Sequence, residues 1–151
     1  MPPLTQDTQR TWAQHQLQIL PLPAAAGAVL FVGALVATNA AGQAVPATDT
    51  AGLKVQGVCR EGLNNTNSAA GTLGTTADYT DAVRYIRVDT QGEWLFEVSA
   101  GVPAPGANAF VVNDNTVSAA PTANSIVAGK FARPYSISNG VTSWFVDLER
   151  R

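Results

Sequence analysis

The chain has 151 residues, enough for one domain whose core needs no disulfide or metal staple. Charged residues are only 13% of it, and nine Lys and Arg stand against eleven Asp and Glu. A formal charge of -2 argues against nucleic acid as a partner, which needs a basic face. One cysteine and one histidine exclude a disulfide framework, a cysteine zinc site and a histidine-ligated metal cluster.

Residues 1–23 are Gln-rich and end in Pro21-Leu22-Pro23. Prolines on alternate residues force an extended path and aim it away from the domain. Gln16-Leu17-Gln18-Ile19 alternates polar and apolar, as a strand does, while Trp12, Gln16 and Ile19 also fit one face of a helix, so both local structures stay open. The segment is too short to build its own core, so it reads as an extended N-terminal arm. Trp12, Leu17, Ile19 and Leu20 are its candidate partner-binding residues, apolar groups that an isolated arm would leave in water.

Residues 24–151 read as a single β domain. The stretch 20–47 carries no charge, which raises the question of a membrane. Its apolar part, 24–37, falls short of the roughly 20 residues that span a bilayer, and no basic cluster flanks it. A signal peptide is the better membrane reading, but a long polar segment with Asp7 and Arg10 precedes the run. A buried strand over 29–37, bent at Gly33, accounts for it best. Ala44-Val45-Pro46 is a short edge piece, and 53–58 alternates before Cys59. Residues 64–80, rich in Asn, Thr, Ser and Gly, predict a long exposed loop.

Next, 83–88, the turn Asp89-Thr90-Gln91-Gly92 and 93–98 predict a hairpin. In it, Arg84 and Arg87 would face Glu93 or Glu97. Strands follow at 109–112 and 125–131, separated by the turn Asn113-Asp114-Asn115-Thr116. Asn139-Gly140 marks a hairpin into 143–148, with Trp144, Val146 and Leu148 on one face. About eight short strands and no long helix predict an all-β fold, a small β-sandwich or partly open β-barrel. Its expected core is Leu30, Val32, Leu35, Val58, Ile86, Trp94, Phe96, Val111, Ile126, Trp144 and Val146.

No residue set carries catalysis. Cys59 has no basic neighbourhood and reads as a small core residue. His15 lies in the arm. Asp78 and Asp81 could be imagined as the carboxylates of a small hydrolase or of a calcium site, but Ala and Thr surround them. Asn113-Asp114-Asn115 reads as turn closure rather than a cation site. Asn64-Asn65-Thr66 is a glycosylation sequon with meaning only on a secreted chain. Arg150-Arg151 is a short basic end. The expectation is a non-enzyme with no catalytic, cofactor or metal residues.

The order of motifs is similar to a known family. Ala26-Gly27-Ala28-Val29-Leu30 and Gly33-Ala34-Leu35-Val36-Ala37 come first, then Gly42-Gln43-Ala44-Val45-Pro46-Ala47 and Gly57-Val58. Phe110-Val111-Val112-Asn113-Asp114-Asn115-Thr116-Val117-Ser118, Asn124-Ser125-Ile126-Val127-Ala128-Gly129-Lys130 and Trp144-Phe145-Val146-Asp147-Leu148 follow. Over 24–148 this resembles the small β-rich capsid decoration, or cement, proteins of tailed phages. Asn113 stands where that family commonly has Asp. The resemblance implies a structural virion protein that binds the outer surface of the head and stabilises it. Its partners would be the major capsid protein and itself, as a homotrimer with a dimer as the alternative. It would be made in the host cytoplasm and located on the outer capsid surface, with no membrane and no cofactor. The competing function is a secreted or surface β domain behind a signal peptide, acting in adhesion or carbohydrate binding.

Overall fold

The computed structural model describes residues 12–13, 19–66, 85–136 and 142–148. In chain order its strands are β1 (Trp12–Ala13), β2 (Ile19–Pro23), β3 (Val29–Leu30), β4 (Leu35–Thr38), β5 (Ala44–Pro46), β6 (Lys54–Cys59) and β7 (Leu63–Asn64). β8 (Tyr85–Asp89), β9 (Gly92–Val98), β10 (Asn108–Val111), β11 (Thr116–Ser118), β12 (Val127–Ser136) and β13 (Thr142–Leu148) complete them. No helix occurs among the described residues, so the fold is all-β, and none is present that is long and apolar enough to cross a membrane.

The strands form two rings. In the first, the order is β1-β9-β11-β10-β12-β13, and β13 also pairs with β9. Five strands therefore close on themselves, which leaves no open flank to the barrel expected from the sequence. β13 lies antiparallel on β9 with Trp144 opposite Phe96 and Val146 opposite Trp94. That register puts alternate large side chains of both strands on one face, where Trp94, Phe96, Val146 and Leu148 share a core with Val111 and Phe131. The strands flanking Asn139-Gly140 pair as that dipeptide predicts, with Ser136 opposite Thr142.

The second sheet has the order β2-β8-β6-β4-β5. A single parallel bridge between Ala24 and Ala44 brings its ends together, and the Ala25 N–H donates to the Ala44 carbonyl at 3.0 Å. Inside lie Leu22, Val36, Cys59, Ile86 and Val88. Leu30 and Leu63, paired across β3 and β7, join the same cluster. Asn65 is fully buried and pins this lid: its N–H donates to Ala28, its Nδ2 donates to Ala25 at 2.8 Å, and its carbonyl accepts from Gly27. The opposite face of β4 and β6, with Leu35, Ala37, Val55 and Val58, packs into the first ring's core. All four residues of β4 are thus buried, which is why that strand reads as an apolar run rather than an alternation.

Three expectations change. The strand over 29–37 is two strands in different sheets. Gly33, at φ 85, sits in a turn closed by the Ala34 N–H on the Phe31 carbonyl, and this turn throws β4 onto another partner. The hairpin at 89–92 does not form: β8 pairs with β2 and β6, while β9 pairs with β1, β11 and β13. Its two central residues, Thr90 and Gln91, lack the Asn-Gly chemistry that a tight hairpin demands. Accordingly Arg87 pairs with Glu61 at 3.2 Å, and Glu93 with Arg133 at 3.0 Å. In the third change, the end of the expected arm, Ile19–Pro23, lies along the domain as β2, antiparallel to β8. Prolines two residues apart remove N–H donors from one side of the strand only, which suits an edge position. Of the expected core, Val32, Ile126 and Trp144 are half-buried and the others are buried.

Candidate interaction surface

Three loops meet at one end of the molecule. The first is 99–107, between β9 and β10. Its Ser99 N–H donates to Val117, and its Ala100 carbonyl accepts from the Ala119 N–H at 2.8 Å. Gly101 lies so close to 119–120 that a Cβ there would stand 2.7 Å from the Ala120 nitrogen. The second loop, 119–125, is therefore held against the first. The third is 48–52, whose Asp49 carboxylate accepts from Thr122 Oγ1 at 3.0 Å and the Asn124 N–H at 3.1 Å. Asn124 Nδ2 returns a bond to the Asp49 carbonyl at 2.6 Å.

This pole is nearly free of charge. From 99 to 129 the sole formal charge is Asp114, which is buried. Asp49 is spent on the bonds just described. The pole's exposed residues include Val102, 92% exposed at the tip, with Ala104, Pro105, Gly106, Ala107, Pro121 and Ala123, beside the neutral polar Thr48, Thr50, Ser99, Asn124 and Ser125. Gly, Ala and Pro have almost no side-chain freedom to lose on docking, and no ion has to be stripped of water. Such a surface suits contact with another protein. Reading the chain strand by strand passed over this pole, although the long uncharged stretch in 99–129 announces it.

The sequence-derived candidates fall elsewhere. Trp12 is in β1, opposite Trp94 of β9. Ile19 opens β2 and is 48% exposed, whereas Leu20, the next residue, turns to the second ring's core. Tyr85, opposite Pro23, is 58% exposed and extends the outer face of the β2–β8 ladder. Leu17, His15, Asp78, Asp81 and Arg150-Arg151 lie outside the described residues. So does most of the 64–80 loop; at its start Asn64, the sequon asparagine, accepts from the Thr66 N–H and Oγ1. Among the described residues no group of three or more His, Cys, Asp or Glu is placed to hold a metal ion.

One buried carboxylate remains. Asp89, at the end of β8, is buried, with Arg60 Nη1 3.2 Å from its Oδ1. Burial pushes its pKa above the ordinary 3.8, and the Arg60 charge and hydrogen bond pull back only in part. A carboxyl whose pKa is raised by folding stabilises the fold most when protonated. Its contribution is complete below 3.8 and fades as pH rises through the raised value. The neighbouring charges, Arg87 and Glu61, pair with each other. Asp89→Asn is therefore expected to flatten the stability profile just above pH 3.8, measured by urea unfolding across a pH series. Parallel profiles for the two proteins would contradict the raised pKa.

No family model matches the chain, and no curated protein matches it. Among solved structures, the chain is similar to the crystal structure of the pre-mature bacteriophage phi29 gene product 12, with a TM-score of 0.48 and 16% identity. That alignment takes in 95% of this chain and 23% of the phi29 chain, so the protein spans about a quarter of its length.

Proposed function

We propose that this is a non-catalytic structural protein of a phage particle, a decoration protein that docks on the outside of the head and stiffens it. The observation that carries the reading is the uncharged pole formed by 48–52, 99–107 and 119–125. Loops tied to one another, to a closed ring and to the sheet packed on it present a preformed surface, so little order has to be imposed on binding. Many copies on one shell make weak single contacts sufficient. The order of motifs over 24–148 supports the same reading. The partners are the major capsid protein and further copies of this chain, in a trimer to which Trp12, Leu17 and Ile19 of the N-terminal segment contribute contacts, while Leu20 packs within the chain.

The test uses shells assembled from a major capsid protein of a tailed phage that carries this chain, with binding of the full protein followed by sedimentation. Docking through an uncharged pole is expected to change less than about twofold between low and physiological salt. Val102→Asp should weaken it at least about tenfold, because a charge would be buried without a partner, while unfolding stays at the wild-type midpoint. Steep salt dependence, or full binding by Val102→Asp together with Ala123→Asp, would remove the pole from the docking surface.

A further inference from the structure

Where the two rings meet lies a groove of about 540 Å³, lined by Leu53, Lys54, Val55 and Gln56 and by Ser125, Ile126 and Val127. Each wall is a run of consecutive residues. A strand viewed face-on shows every second side chain, so consecutive lining residues mean a strand viewed from its edge. The pairing agrees. β4 borders β6 from Lys54 to Val58, but β8 meets β6 only at Val58 and Cys59. Among the described residues, Lys54, Val55 and Gln56 have no strand partner on that second edge.

The opposite wall is fixed in place. Ser125 holds φ 50, a conformation that a residue with a side chain keeps only where its surroundings enforce it. Its N–H and Oγ both donate to the Thr122 carbonyl, at 3.2 and 3.1 Å. Val111 takes up the Ile126 carbonyl at 2.8 Å. Leu53, Val55, Ile126 and Val127 make the lining apolar. Lys54 is its single cation; the side chain is exposed and makes no ion pair among the described residues. An open strand edge between apolar walls is a template for backbone pairing, and an unpaired ammonium beside it selects for negative charge.

We propose that this groove takes an extended peptide segment of another protein, which adds to the β6 edge at 54–56 and seats a carboxylate on Lys54. At about 3.3 Å per residue, the four residues 53–56 accommodate a segment of similar length. The groove adjoins the uncharged pole and shares Ser125 with it, but its occupant pairs with β6, so the proposal stands without the decoration reading.

The probe is the acetylated pentapeptide Thr-Val-Thr-Val-Asp, titrated into the full 15N-labelled chain and followed by amide chemical shifts. Shifts confined to 53–57 and 125–127 are expected at millimolar peptide. N-methylation of alternate peptide amides should weaken binding about tenfold by removing the edge hydrogen bonds. Lys54→Gln should weaken the parent peptide several-fold and leave the Thr-Val-Thr-Val-Asn version unchanged. No shifts, shifts elsewhere, or equal binding of the N-methylated peptide would overturn the proposal. Concentration-dependent shifts at the same residues without peptide would also overturn it, because a second copy would then be the occupant.

Discussion

Gly57→Ala is expected to cost on the order of 3 kcal/mol or more, a large share of the about 5–15 kcal/mol that holds a domain folded. Gly57 sits in the middle of β6, opposite Val36, where the β4–β6 register shifts. A Cβ there would run into the Asp89 carbonyl oxygen and lie 2.8 Å from Val88 Cγ1. The obstacle is mainly backbone, and β8 cannot retreat. Ile86 and Val88 anchor it in the core while β2 holds its other edge. Gly42→Ala is the control. It has open space around its Cβ position and pays only for φ 75, so about 1 kcal/mol is expected. Urea unfolding of both variants checks this, and equal midpoints would mean that β6 and β8 can part without penalty.

Trp94→Ala is expected to lose about 3–5 kcal/mol. The ring is 7% exposed, in the core shared by both rings, and its Nε1 donates to the Gln91 carbonyl at 3.3 Å. Removing it leaves a cavity bordered from two sheets that cannot both collapse into it. Trp144 stands edge-on to Phe131 with ring centroids 5.7 Å apart, but is only half-buried, so Trp144→Ala should lose less. A loss below about 1 kcal/mol for Trp94 would place its ring outside the core.

These two sites mark what sequence alone could reach. Trp94 and Phe96 were legible because alternation over 93–98 is a local signal, and β9 is half-buried in the way that alternation assumes. The same logic found Val146 and Leu148 of β13. Pairing was less legible, since it depends on which edges remain open. β8 and β9 are joined by Thr90 and Gln91 yet belong to different rings, and nothing local distinguishes such a crossover from a hairpin. Gly57 looked like one more small residue in a strand; only the approach of Asp89 from the neighbouring strand gives it weight. Ile19 and Leu20 were read alike as apolar arm residues, but Ile19 is exposed and Leu20 packs inward, because β2 turns alternate side chains to opposite faces. The uncharged pole was written plainly in 99–129, but its meaning needed the loops to be brought together.

Closure of the first ring also orders events in time. β13 pairs with both β9 and β12, and it comes last in the chain among the described strands. Until residue 148 has been made, β9 and β12 each have an edge with no partner. The decisive contact joins segments some fifty residues apart, such as Trp94 and Val146, so its formation is slow beside that of local turns. During synthesis the nascent protein therefore passes through a stage with open strand edges, and that interval is when association between unfinished chains is most favoured.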